Sequence, residues 1–186
     1  SLSKAYLAQG KQEFLAHLTD TQTMIGEELR QLKSTVSKFS EFARMPQVQL
    51  AIVELGEEMG RQRKSLAGLF EGVEIDVQAT AGVQIPVRLD TTLFRQVLVN
   101  LVRNGIEANP GRPVRFTISL SSEQPVGIRI ANDGVPAPAE IVDRMFDPYI
   151  STKSGKENMG LGLAIVKKIV LEHGGEIRYE DWLAKS

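Results

Sequence analysis

Apolar residues recur at four- and three-residue steps from Leu15 through Leu18, Ile25, Leu29, Leu32, Val36 and Phe39 to Ala43. No proline interrupts residues 11–45, so the spacing predicts one long helix with a coiled-coil-like stripe, weakened at Gln22 and Gly26. Glu27, Glu28, Arg30, Lys33 and Lys38 fall largely off the stripe, as a solvated face requires, and Pro46 ends the helix. Such a stripe needs a partner: the helix either folds onto the remainder of its own chain or bundles with helices of another.

Beyond an extended piece around Val48 and Leu50, the pattern predicts a second helix over 51–70 and strands over 73–79 and 85–89, where Val73, Ile75 and Val77 alternate with polar neighbours. Asp90 is positioned to cap a helix running to residue 108, which Asn109-Pro110-Gly111 stops. Strands over 114–120 and 126–131 follow, then an irregular stretch over 134–159, a helix over 161–173 closed by Gly174-Gly175, and a last strand near 176–180. Strands in antiparallel pairs with helices inserted between them predict an α+β fold, a two-layer sandwich, rather than an alternating parallel-sheet fold.

Composition narrows the function. At 186 residues and 42% hydrophobic, the chain holds one well-buried core plus an appendage. A net charge of −1 provides no global field for nucleic acid or an anionic membrane, so any anion must be bound locally. The absence of cysteine excludes disulfides, thiolate metal sites and a cysteine nucleophile. No apolar run is long enough to span a bilayer and no signal-peptide pattern is present, so this stretch is expected to be soluble and to make no membrane contact.

Candidate chemistry concentrates in three segments. In Asn100-Leu-Val-Arg-Asn104 the two asparagines lie roughly 40° apart at the edge of an apolar helical arc, flanked by Arg103 and Glu107. Amides at a buried border are costly unless satisfied, so two of them a turn apart suit a shared ligand, a hydrated Mg²⁺ above all, or else bond loop backbone. Asn132-Asp133-Gly134 forms a short polar turn suited to reading a nucleobase edge. Gly160-Leu161-Gly162-Leu163 opens an amphipathic helix, where free N–H groups cradle phosphate or the glycines merely permit a tight turn. The 25-odd residues between the last two segments have the length of a lid. Phe146-Asp-Pro-Tyr149 offers an aromatic pair to pin that lid, and Lys153 offers an ammonium for terminal phosphates. Together the segments describe a Mg-nucleotide site.

Residues 94–108 (FRQVLVNLVRNGIEA), 146–153 (FDPYISTK) and 160–175 (GLGLAIVKKIVLEHGG) resemble the N, F and G2 boxes of sensor histidine kinases, whose ATP-binding domain shares the Bergerat fold of gyrase, Hsp90 and MutL. Phe39-Ser-Glu-Phe-Ala-Arg-Met-Pro46 resembles the end of the second dimerisation helix of nitrogen-regulation (NtrY-like) kinases. The resemblance implies a partial dimerisation region over 1–46, lacking the phosphoacceptor helix, and a catalytic ATP-binding domain over 47–186, expected to stop short of the family's last strand. It implies ATP and Mg²⁺ as cofactors: Asn104 and Asn100 for metal and phosphates, with Arg103 beside them; Gly160, Leu161, Gly162 and Leu163 for the phosphate turn; and Lys153 in the lid. Asn132 occupies the usual adenine-reading aspartate position, with Asp133 the alternative reader and Gly134 the aligned box glycine. Pro136 and Asn158 stand where glycines are usual.

The family's acceptor histidine has a His-Glu-x-x-Asn/Thr-Pro setting that neither His17 nor His173 shares; His173, at a helix C-terminus, suits an imidazolium. The implied function is transfer of the γ-phosphoryl of MgATP to a histidine outside this chain and thence to a response-regulator receiver domain. The resemblance implies that the intact parent is a homodimer with this part in the cytoplasm, and it admits a membrane anchor elsewhere in the parent. A serine kinase of the anti-sigma-factor type and a non-catalytic, nucleotide-gated scaffold remain the alternatives.

Overall fold

A computed structural model describes residues 2–43, 47–79, 82–152 and 160–181, with parts of the first helix described for backbone only. Lys153, Asn158 and the helix-ending Arg44-Met45-Pro46 lie outside the described residues. The chain divides into two compact units, the first built on α1 (Leu2–Ala43) and the second, among the described residues, on 47–152 and 160–181.

Helix α1 begins at Leu2 rather than near residue 11, because a single glycine at position 10 costs only about 1 kcal/mol relative to alanine and does not end a helix. From Leu15 to Val36 its stripe is solvent-exposed, from 48% at Leu18 to 60% at Leu29. Thr19, Thr21 and Thr23 turn their hydroxyls back onto carbonyls four residues earlier, which lets three β-branched polar residues sit within it.

In the second unit, residues 51–54 form strand β1 (Ala51–Glu54), not the start of a helix. The β-branched Ile52-Val53 pair finds an antiparallel partner in β3 (Pro86–Leu89), and that tertiary ladder outweighs local helical periodicity. Helix α2 (Leu55–Leu69) starts immediately after, capped by the Glu54 carboxylate, which accepts from Glu57 N–H at 2.6 Å and from Ile85 N–H at 3.0 Å. Those N–H groups hold the Glu54 carboxyl below its ordinary value.

A second sheet has the order β2-β4-β5, from Glu74–Gln78, Arg115–Ser121 and Gly127–Asn132. Strand β4 pairs antiparallel with β5 but parallel with β2, correcting the expectation of antiparallel pairs throughout. The reason is topological: α3 (Thr91–Glu107) lies between β2 and β4 in the chain and returns it to the same end of the sheet. Residues 176–180 join no strand; Arg129 of β5 reaches Glu180 at 3.4 Å through side chains, without a backbone ladder.

The core lies between the helices and this sheet. Leu55, Met59 and Leu66 of α2, Phe94, Leu98 and Val102 of α3, and Phe116, Ile118 and Leu120 of β4 form one buried cluster. Gly105 brings α3 close to the sheet, since a methyl group there would lie 2.6 Å from Phe116 Cζ. This α+β sandwich leaves α3 packed beside α5 (Gly162–Glu172), so the first and third candidate segments become neighbours.

Candidate functional site

Asp90 sets the position of α3. One carboxylate oxygen accepts from Thr92 and Leu93 N–H at 3.0 and 3.1 Å, completing the predicted cap, and the other accepts from Gln49 N–H at 2.9 Å. Its own N–H donates to His173 Nε2 at 3.0 Å, so His173 must carry its proton on Nδ1, which donates to Ile169 O at 2.8 Å. The His173 ring is therefore a neutral bridge between the end of α5 and the start of α3, not the imidazolium that the helix dipole alone suggests.

Burial is the largest single influence on the Asp90 carboxyl and raises its pKa, but the hydrogen bonds from the N–H groups of Gln49, Leu93 and Thr92 outweigh it and hold the pKa below the ordinary 3.8. A depressed carboxyl pKa contributes stability that is present above the ordinary value and lost as pH falls through the folded one. Asp90→Ala is expected to cost about 1–3 kcal/mol near pH 7 and to lessen the loss of stability below pH ~4. Asp90→Asn keeps the cap and costs less. Calorimetric unfolding across that pH range measures both.

On α3, the Asn100 Nδ2 donates to Gln96 O at 2.9 Å, which leaves Oδ1 to face α5. A Cβ at Gly162 would lie 3.3 Å from Asn100 Oδ1 and 3.6 Å from both polar atoms of the Asn104 amide. Two asparagines on one helix thus converge on the first residue of another. Among the described residues no side chain caps that helix start, so its leading N–H groups can serve an anion.

Leu161, 3% exposed, anchors the turn in the core, so only its backbone can meet a ligand; Leu163 is half-buried. Gly160 has φ +63°, and its carbonyl accepts from Tyr149 N–H at 3.1 Å, closing the base of the segment between them. Arg103 projects from the exposed face of α3.

The segment predicted as an unstructured lid is partly ordered. Short helix α4 (Ala139–Val142) and the turn from Arg144 to Asp147 interrupt it, and Asp147 meets Lys167 of α5 at 3.6 Å. Phe146 is half-buried, but Tyr149 is 62% exposed with φ +67°, so only one of the aromatic pair can pin anything.

Asn132 ends β5, exposed, with its Cγ 3.7 Å from where a Gly105 side chain would begin. Asp133 is engaged elsewhere: Oδ1 accepts from Arg115 N–H at 2.9 Å, and its carbonyl accepts from Arg112 at 2.8 Å. Gly134 lies against amides, with a Cβ there falling 2.6 Å from Asn132 Nδ2 and 2.8 Å from Asn109 Cγ.

The sequence reading missed Asn109, taking it only as a helix stop. It is 5% exposed; Nδ2 donates to Gly105 O at 2.8 Å and Oδ1 accepts from Val135 N–H at 3.0 Å. The bond to Gly105, four residues earlier, is a local signal at a helix end; the bond to Val135 is long-range and invisible in sequence. Tyr179 Oη similarly accepts from Ala137 N–H at 3.0 Å.

Residues 89–184 match the family described as histidine kinase-, DNA gyrase B-, and HSP90-like ATPase, just over half of the chain. Among curated proteins, the nitrogen regulation protein NtrY of Azorhizobium caulinodans is 31% identical over 92% of this chain and 24% of its own length. The sensory histidine kinase/phosphatase NtrB of Rhodobacter capsulatus is 30% identical over 88% of this chain and 48% of its own. The chain therefore spans about a quarter to a half of these relatives. Among solved structures, the catalytic domain of histidine kinase ThkA, nucleotide free, superposes with TM-score 0.58 at 29% identity, covering 72% of this chain and 88% of that one. ThkA in complex with the response regulator TrrA gives TM-score 0.62 at 25% identity, over 82% and 43%.

Proposed function

The chain belongs to the histidine kinase-, DNA gyrase B-, and HSP90-like ATPase family, and from that premise we propose that it binds MgATP as the catalytic part of a two-component sensor histidine kinase, passing the γ-phosphoryl group to a histidine and thence to a response-regulator aspartate. The convergence of the Asn100 and Asn104 amides on Gly162, at an uncapped helix start, carries this reading. Relatives named as sensor kinases and a structural neighbour solved with a response regulator support the partner class.

Magnesium prefers hard oxygen donors and keeps several waters. Two amides facing a phosphate-accepting turn, with room that a side chain at position 162 would fill, fit that demand. Asn104 would hold the ion, with Asn100 beside it, and bound Mg²⁺ supplies charge compensation to the phosphate oxygens. The chain's own part is positioning. The first N–H groups of α5 donate to phosphate oxygens, Gly160 and Gly162 keep that approach clear, and Lys153, outside the described residues, is the cation that the family resemblance offers to the terminal phosphates. The turn at Asn132-Asp133-Gly134 receives the base.

Neither histidine of the chain suits the acceptor role: both ring nitrogens of His173 are engaged, and His17 is exposed on α1 without the family's neighbouring acid and proline. The acceptor is supplied by another helical segment. The exposed stripe of α1 is suited to bundling with such helices in a homodimer, with residues 1–46 as dimerisation region and 47–186 as catalytic domain, in the cytoplasm.

Calorimetric titration of the whole chain with ADP is expected to show binding that strengthens with Mg²⁺ over EDTA. With γ-labelled ATP and a purified helical domain carrying an acceptor histidine, acid-labile label is expected on that domain. Failure to bind MgADP refutes the site, and acid-stable label on serine would assign the serine kinase instead.

A further inference from the structure

We propose that the base subsite tolerates either an amino or an oxo group at purine carbon 6, so that 6-oxopurine nucleotides bind beside adenine nucleotides; the inference rests on the nucleotide reading above. Three polar side chains meet at the turn after β5, and they differ in freedom. Asn109 is locked by bonds on both ends of its amide, to Gly105 O and from Val135 N–H. Asp133 is committed to Arg115 N–H, with the Arg112 guanidinium 3.8 Å away. Asn132 is exposed, and among the described residues no hydrogen bond fixes its amide.

Position makes Asn132 the reader. Asn104 faces Gly162 at the phosphate end, and the next residue of α3, Gly105, has Asn132 Cγ 3.7 Å from its missing side chain. One step along α3 therefore leads from the phosphate-facing amides to a position packed on the Phe116 ring, 2.6 Å from where a side chain would begin, with the Asn132 amide at its border.

The chemistry follows from donor and acceptor counting. An ionised carboxylate can only accept; it matches a 6-amino group and repels a 6-oxo oxygen. A primary amide carries an acceptor and donors on one group: Oδ1 can accept from a 6-amino N–H, and the same amide turned over donates Nδ2–H to a 6-oxo oxygen. A locked amide such as Asn109 would have to choose, because turning over would forfeit both of its bonds. Asn132 need not choose.

Titration of the whole chain with MgADP and with MgIDP tests this, because inosine changes carbon 6 and the adjoining N1 proton without adding a 2-amino group. The two affinities are expected to lie within about twentyfold of each other, and Asn132→Asp is expected to raise the ADP-to-IDP ratio more than about fivefold by rejecting the oxo group. Asn132→Ser, whose hydroxyl also donates and accepts, should keep the ratio low, and it stands in should the aspartate variant fail to fold. A wild-type preference beyond about twentyfold, a ratio that Asn132→Asp leaves within fivefold of wild type, or a serine ratio above twentyfold overturns the inference while MgADP binding still upholds the function. Absence of MgADP binding removes both.

Discussion

Asn104→Ala is expected to weaken MgATP binding by about 10- to 100-fold, the worth of one hydrogen bond or ligand contact to a charged group, while leaving ATP binding in EDTA nearly unchanged. The amide faces Gly162, where the metal and phosphates would sit, and lies a residue away from the Gly105–Asn132 cluster that would take the base. Alanine is the better helix former and position 104 is only half-buried, so the variant should fold. Paired calorimetric titrations decide the matter. Equal losses with and without Mg²⁺ would mean that the amide acts through packing or the base, and the metal assignment would fall.

The largest structural effect is expected from Gly160→Ala. Its φ of +63° disfavours any side chain, and a methyl group would meet the Ile150 backbone, with the Ile150 nitrogen and carbonyl carbon each 2.7 Å away. Backbone cannot rotate aside as a side-chain tip can. A cost of about 2–4 kcal/mol is expected from left-handed strain and overpacking combined. Because Gly160 also accepts from Tyr149 N–H and leads directly into α5, relief of the clash should move the helix start away from the asparagines. Nucleotide affinity should then drop more than about tenfold with and without Mg²⁺, a pattern that separates this variant from Asn104→Ala. Gly60→Ala is the matched control: the position is helical with open space around it, and alanine should stabilise α2 by up to about 1 kcal/mol. Denaturant unfolding showing equal stability for the two alanine variants would contradict the clash at Gly160.

Helices α3 and α5 were legible from sequence almost to the residue, whereas α1 and α2 were legible in kind but not in where they begin. Asp90 caps α3 as its type and position suggested, and Gly174, with φ +74°, closes α5. The short strand β1 was not legible, because four apolar-rich residues ahead of a helix have no period of their own; only pairing with β3 makes them a strand. The parallel β2–β4 pairing was likewise hidden, since alternation marks a strand but not the direction of its neighbour. Near residues 176–180, half-buried Ile177 and Tyr179 alternate with exposed neighbours without forming a ladder.

What the sequence by itself determined is the inventory of chemistry: paired asparagines on one helical face, glycines at a helix start, a polar turn after a strand, and their order. These depend on residue type and on the fixed geometry of a helix, which are local quantities. Only the tertiary structure decided which groups are available. It aimed Asn100 and Asn104 at Gly162 by packing α3 against α5, withdrew Asp133 into bonds with Arg112 and Arg115, locked Asn109, left the Asn132 amide without a hydrogen bond among the described residues, and made His173 a neutral bridge to Asp90. The reason is that a polar side chain's role depends on whether its donors and acceptors are already satisfied, and in this unit the partners that satisfy them come from residues as many as 83 positions away along the chain.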